Sequence, residues 1–212
     1  EIAVIDNTAG TAGTIALPDT PLYETDTTVT ASGSFAITDI DTTDVVTATV
    51  TSVAAAVVAA AGGAVAATAS GDGIEITSSD GTTVTTTTIT QADLLSFMKL
   101  SDVDGDTTGP DTAAAGANSI TILSNGETAD TLNWNFDSIA ETFDFLAKGE
   151  TIELTYTVTL DDQNNVVVAS ADAGEVSTAT ETITILITGT NDAPEIAVID
   201  NTAGTAGTIA LP

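Results

Sequence analysis

The sequence contains no cysteine and no histidine, and its only cations are Lys99 and Lys148. Without cysteine there is no disulfide framework and no thiolate to bind a metal. Without histidine the usual general base and the usual zinc ligand are missing. Two lysines give a nucleic-acid backbone almost nothing to bind. The 31 acidic residues bring the formal net charge to −29, so we expect no nucleic-acid partner and no anionic membrane surface.

Long apolar runs are also missing. No stretch approaches the roughly 20 apolar residues that span a bilayer, and we expect no direct membrane insertion. Paired carboxylates can catalyse glycoside hydrolysis, but no His, Arg or Cys is present to position or activate a substrate. The single tryptophan, Trp134, alternates with Leu132 and Phe136, which predicts a core position and not a sugar platform. The chain is therefore expected to be no enzyme and to have no small-molecule substrate.

What remains favours a folded β protein. Hydrophobic residues make up 42% of the chain, and the abundant Thr, Val and Ile fit the pleated surface of a strand. Residues 151–161 and 181–188 alternate apolar and polar side chains, the pattern of a half-buried strand. Short strands separated by Gly, Asp and Asn predict an all-β sandwich. Helical spacing predicts two short helices at 91–100 and 138–147, the second with a capping-box pair, Ser138 and Glu141.

An exact repeat marks the two ends of the sequence. Residues 1–18 and 195–212 both read EIAVIDNTAGTAGTIALP, so the chain holds one period of 194 residues and the opening of another. We interpret 1–194 as one domain, with a linker at 189–194, and 195–212 as the first segment of the next tandem copy. The expected partners are neighbouring copies of the same repeat, and 1–18 is expected to form the first strand.

Two segments, 143–162 (FDFLAKGETIELTYTVTLDD) and 182–194 (TITILITGTNDAP), carry a family resemblance. The first opens a long strand with Gly-Glu and ends in Asp, and the second runs from the last strand into a Gly-Thr-Asn-Asp-Ala-Pro linker. Residues 35–41 (FAITDID) and 132–136 (LNWNF) add an early strand ending in aspartates and an aromatic strand. Together they resemble the VCBS and cadherin-like repeats of giant bacterial RTX adhesins, whereas 51–130 matches poorly.

The resemblance implies an Ig-like or cadherin-like Greek-key β-sandwich, here with an enlarged middle and one or two short helices. It also implies Ca²⁺ at domain junctions, type I secretion and a place on the bacterial cell surface, as in biofilm-type adhesins. Such a repeat would be a structural extender that projects a distal adhesive domain.

The acidic residues agree with calcium binding, because Ca²⁺ takes six to eight oxygen ligands. One predicted cluster follows an early strand, and another lies in the linker before Pro194. The early loop and the end of the long strand add further candidates. The candidate ligands in these four places are Asp39, Asp41 and Asp44; Asn191 and Asp192; Glu24; and Asp161 and Asp162.

A local motif, Asp102-Val-Asp-Gly-Asp106, gives a further candidate. Asp102, Asp104 and Asp106 match positions 1, 3 and 5 of a calcium loop. The sixth position is Thr107 and the twelfth is Ala113, where an EF-hand has Gly and Glu. We therefore predict a calcium loop that is not an EF-hand.

Two alternatives to the extender remain open at this point. The chain could be a ligand-binding adhesive domain of the same type of surface protein, although exact tandem duplication argues against a tip domain. It could also be a surface-lattice or matrix protein. A glycan array distinguishes the first alternative, and self-assembly in sedimentation distinguishes the second.

Overall fold

The computed structural model describes residues 3–6, 22–60, 67–79, 83–102, 118–124, 126–163 and 178–193. Within these ranges the chain forms twelve strands and one helix: β1 Ala3–Asp6, β2 Leu22–Tyr23, β3 Thr30–Thr38, β4 Val46–Val58, β5 Ala67–Ser70, β6 Gly73–Ser79, β7 Val84–Thr90, α1 Gln91–Ser96, β8 Met98–Ser101, β9 Ser119–Leu123, β10 Ala129–Asp137, β11 Thr151–Asp161 and β12 Thr178–Thr188. No helix in this described part is both long and apolar enough to cross a membrane.

Two sheets pack face to face as a sandwich. One sheet has the strand order β1-β3-β10-β8 and the other has the order β2-β12-β11-β4-β9. This is the arrangement of an immunoglobulin-like domain, in which strands A, B, E and D face strands C, F and G. Two features differ: the first strand is divided into β1 and β2, which lie in different sheets, and β9 is an additional strand. The predicted all-β sandwich is confirmed. A third sheet, β5-β6-β7, and α1 form the enlarged middle between β4 and β10.

The two eleven-residue strands, β11 and β12, follow the sequence pattern closely. β11 spans the predicted 151–161, and all eleven residues pair with β12 on one side and with β4 on the other. Its apolar face is buried against the first sheet, where the Phe136 and Tyr156 rings lie 6.2 Å apart. Trp134 is 5% exposed, which confirms its predicted place in the core.

The first predicted helix is shorter than expected, with six residues instead of ten. α1 ends at Ser96, and Met98–Ser101 forms β8 instead, which pairs with β10 from Phe136↔Met98 onward. The helix begins at a capping box that the sequence analysis did not single out: the Thr90 hydroxyl accepts from the Asp93 N–H, and the Asp93 carboxylate accepts from the Thr90 N–H. The spacing of Leu94 and Met98 fits one long helix as well as a short helix followed by a strand. The spacing alone therefore does not predict where the helix ends.

The second predicted helix does not form. Residues 138–150 are a series of turns. The Ser138 hydroxyl donates to the Glu141 carbonyl oxygen and does not cap a helix. Ile139 and Phe143 have φ angles of 60° and 62°, a left-handed conformation that an α-helix cannot contain.

The strands define two ends of the sandwich. At the proximal end, β3 and β11 finish at Thr38 and Asp161, and Ala3 of β1 pairs with Thr38. At the distal end, β11 begins and β12 finishes at Thr188. At about 3.3 Å per residue, the eleven residues of β11 separate the ends by roughly 35 Å. The chain thus enters at one end and leaves at the other.

Candidate metal centres at the two ends

Three acidic residues meet at the proximal end. Asp39 follows β3, Asp44 precedes β4 and Asp162 follows β11, and one carboxylate oxygen of each lies within 4.8 Å of the others. Ligands on opposite sides of a Ca²⁺ ion with bonds of about 2.4 Å lie about 4.8 Å apart. The three oxygens are therefore close enough to share one ion, and carboxylates are the ligands that this ion prefers.

Backbone hydrogen bonds hold the loop that carries this proximal cluster. The Asp39 N–H donates to the Thr128 carbonyl oxygen at 3.0 Å, which fixes the end of β3 beside the start of β10. Oδ1 of Asp39 accepts from the Asp41 N–H at 3.1 Å, and the Asp41 carbonyl accepts from the Asp44 N–H at 3.1 Å. Asp39 is 2% exposed and Asp44 9% exposed. The two carboxylates are thus held at fixed positions, as a metal site requires.

The sequence placed Asp161 and Asp162 in one group and Asp39, Asp41 and Asp44 in another. The structure joins Asp162 to Asp39 and Asp44 and leaves Asp41 and Asp161 outside the group of three. Asp41 is exposed and contributes its backbone to the loop. The Asp161 carboxylate accepts from the Gln163 N–H and so shapes the turn that follows β11. Both residues therefore support the cluster without belonging to it.

The predicted calcium loop after β8 is described only at its first position. Asp102 follows β8 and is 2% exposed. Asp104 and Asp106 lie outside the described residues, as do the remainder of 1–18 beyond β1 and the whole of 195–212.

The distal end holds a buried glutamate. Glu24 is fully buried, and its N–H donates at 3.1 Å to the carbonyl oxygen of Thr188, the last residue of β12. Oε1 accepts from the Thr190 N–H at 2.5 Å. Oε2 has no hydrogen-bond partner among the described residues. A buried carboxylate oxygen without a partner is costly, and a bound cation would remove that cost.

Asp192 lies at the same end, on the segment that leaves the domain. Partial desolvation, and then the negative charges of Glu24, Asp26 and Asp144, raise the pKa of its carboxyl group. The side chain of Asp192 is exposed, and so are those of Asp26 and Asp144. Glu24, Asp26, Asp144 and Asp192 thus interact electrostatically, and we call them the distal cluster, although only the proximal acids have three carboxylate oxygens within 4.8 Å of one another in the described part of the chain. Asn191 is exposed, and its amide donates to the Asp192 carbonyl oxygen.

Glu150 is a second buried carboxylate at the distal end. It is 1% exposed; Oε2 accepts from the Ala147 N–H at 2.7 Å, and Oε1 has no partner within the described ranges. Its carbonyl accepts from the Gly189 N–H. A Cβ atom on Gly189 would overlap the Ala147 carbonyl oxygen, so only glycine lets the outgoing segment pass this close.

The sequence analysis missed Glu150 and Asp144 as candidates. Both lie within the segment FDFLAKGETIEL, which carries the family resemblance. For Glu150, the signal was the Gly-Glu pair directly before β11. Gly149 has a φ of 82°, and the turn that it forms places Glu150 at the edge of the core, where it is 1% exposed.

Comparison with known proteins adds no further constraint. No family model, no curated protein and no solved structure matches this chain.

Proposed function

We propose that this chain is a structural extender repeat of a long, secreted bacterial surface adhesin, and that Ca²⁺ bound at the ends of the sandwich stiffens the array. The observation that carries the proposal is the buried Glu24 carboxylate. One of its oxygens is held by the Thr190 N–H of the outgoing segment, and the other has no partner within the described residues. A cation that binds there would connect the domain to its own linker.

The course of the chain supports a role in spanning distance. The chain enters at the proximal end and leaves at the distal end, so tandem copies would join end to end. Residue Ala197 repeats Ala3, and five residue steps from Asp192 span at most about 18 Å. The distal cluster of one copy would then face the proximal cluster of the next.

Charge gives the cation its role at this junction. Without metal, two acidic clusters at such a distance repel each other and leave the joint free to bend. Calcium replaces that repulsion with coordination bonds. In an array, small changes of angle at each joint accumulate, so stiff joints decide how far the distal adhesive domain extends.

A protein of two tandem repeats tests the proposal by small-angle X-ray scattering. In Ca²⁺ we expect a rod, and in EDTA a shorter, bent ensemble. Asp192→Ala should loosen the joint in Ca²⁺ while each domain stays folded, whereas the exposed Glu153→Gln on β11 should behave like the wild type. An equal maximum dimension with and without Ca²⁺ would refute the rigid-extender mechanism, even if each domain binds metal.

A further inference from the structure

The hairpin of β6 and β7 extends beyond the core of the sandwich. The two strands pair from Gly73↔Thr90 at the base to Ser79↔Val84 at the tip. At the base Ile74 and Ile89 are buried. Towards the tip, Val84 and each of the four threonines that follow it are exposed. Since successive side chains of a strand point to opposite faces, neither face of the outer half of β7 is covered by the described residues.

β7 is also the edge of its sheet. In the described part of the chain it has β6 on one side and no strand on the other. An edge strand presents a row of N–H and C=O groups that can pair with another chain, and proteins commonly block such edges with charges, proline or bulges. All seven residues of β7, VTTTTIT, are β-branched, and none is charged, proline or glycine. None of these devices protects this edge.

Among the described edge strands without charge, β7 is the longest, because β2, β5 and β9 have only two, four and five residues. With a net charge of −29, two copies repel wherever their carboxylates face each other. Another described edge strand, β8, has Lys99 within its four residues, and β2 is only two residues long. β7 therefore offers a seven-residue edge along which two copies can approach without placing like charges opposite each other.

We propose that two copies of this chain associate side by side by pairing their β7 strands antiparallel about a twofold axis. Such a contact uses the same strand of both molecules and extends the β5-β6-β7 sheets into one sheet of six strands. Centred on Thr87, the pairing places Thr87 opposite its counterpart and Thr86 opposite Thr88. Thr–Thr pairs are favourable cross-strand neighbours, so the strand complements itself.

The lateral contact is independent of calcium and of the end-to-end junction. It concerns an edge in the enlarged middle of the domain, whereas the acidic clusters lie at the two ends. In an array of repeats, the same edge would recur in every copy, and many weak lateral contacts would act together. Adjacent molecules would then associate along their length, which a purely mechanical spacer does not require.

Analytical ultracentrifugation of the full chain, in EDTA and in Ca²⁺ at about physiological salt, tests the proposal. The wild type should show a concentration-dependent equilibrium between the 21.1 kDa chain and a species of twice that mass under both conditions. Thr87→Asp should sediment as a monomer, because it places two carboxylates opposite each other. Thr87→Lys should do the same, and an equimolar mixture of the two variants should recover the dimer.

Thr68→Asp provides the matched control, because Thr68 is exposed on β5 at the other edge of the same sheet. It adds the same charge and should leave the dimer unchanged. Circular dichroism checks folding. If Thr87→Asp melts early, Thr86→Asp combined with Thr88→Asp takes its place, because the pairing sets these two exposed positions opposite each other. A wild type that stays monomeric at millimolar concentration overturns the proposal. So does a Thr87→Asp variant that still dimerises, a mixture that stays monomeric, or binding of an extended peptide without dimerisation.

Discussion

The Thr190 N–H donates a hydrogen bond to Oε1 of Glu24, across 166 positions of sequence. This contact ties the segment that leaves the domain to the loop that precedes β3. It leaves Oε2 of Glu24 buried and without a partner in the described structure. The backbone N–H thus holds one oxygen of the carboxylate, and the other oxygen is free to bind a cation.

Calcium should therefore raise Tm, and Glu24→Gln should remove part of that increase. A site with a Kd of about 10⁻⁴ M stabilises the fold by about 2.7 kcal/mol at about 10 mM Ca²⁺. Glutamine keeps the hydrogen bond from Thr190 but loses the charge, so in EDTA the variant should melt at or above the wild type. Calorimetry with Ca²⁺ and with EDTA measures both effects. Glu153→Gln is the control, and an equal Ca²⁺ increment in both variants would exclude Glu24 as a ligand.

The raised pKa of Asp192 predicts an unusual pH dependence in the absence of metal. Because the folded state favours the protonated form, it binds more protons than the unfolded state between the unfolded pKa of 3.8 and the raised pKa. Stability from this group therefore increases as pH falls through that window. In EDTA, Asp192→Asn should be more stable than the wild type at pH 7, and the difference should shrink towards pH 4.

Urea titrations of the wild type and Asp192→Asn at several pH values measure this difference. Asp93 contributes a pH dependence of stability with the opposite sign, because its hydrogen bonds with Thr90 lower its pKa. This contribution is the same in both proteins and therefore cancels in the difference. A difference that grows as the solution becomes more acidic would contradict the repulsion between Asp192 and the other acids of the distal cluster.

Thr90→Ala should destabilise the domain by about 1 kcal/mol, the usual effect of removing a helix N-cap. The hydroxyl accepts from the Asp93 N–H and donates to the Asp93 carboxylate, so alanine removes both bonds. Thr88→Ala, two residues earlier on the same strand and exposed, is the control. Urea unfolding monitored by circular dichroism gives the two values, and equal losses would show that the capping box contributes nothing.

Tyr156→Phe should cost about 0.5–1.5 kcal/mol, the usual net contribution of a hydrogen bond, because the Leu94 carbonyl oxygen keeps the Phe97 N–H as a second donor. The Tyr156 hydroxyl donates to the Leu94 carbonyl oxygen at 2.8 Å, and burial of the ring raises the pKa of the hydroxyl far above its usual value. The bond connects β11 to α1 in the enlarged middle. Tyr23→Phe is the control, since Tyr23 is 54% exposed, and an unfolding free energy equal to that of Tyr156→Phe would dismiss the bond as a stabilising contact.

Local patterns in the sequence are enough to predict the sandwich and the strands β11 and β12. Alternation over residues 151–161 fixes both the strand and its buried face, because a period of two is a local property that no distant contact needs to establish. The strand at residues 98–101 could not be predicted in this way, because its spacing also fits a helix. These residues form a strand because they pair with β10. The turns at Ile139 and Phe143 likewise depend on backbone angles that side-chain spacing does not encode.

Which acids lie together depends on the order of the strands in the two sheets. The sequence identified Asp39, Asp44 and Asp162 as candidates, but they became one group because β11 pairs with β4, whose start lies beside the end of β3. In the same way, the parallel pairing of β2 with β12 brings Glu24 to the outgoing segment and Asp192. The sequence shows which side chains can bind a metal ion. The distances between these side chains depend on the order of the strands in each sheet, which is set by contacts between residues far apart in the sequence.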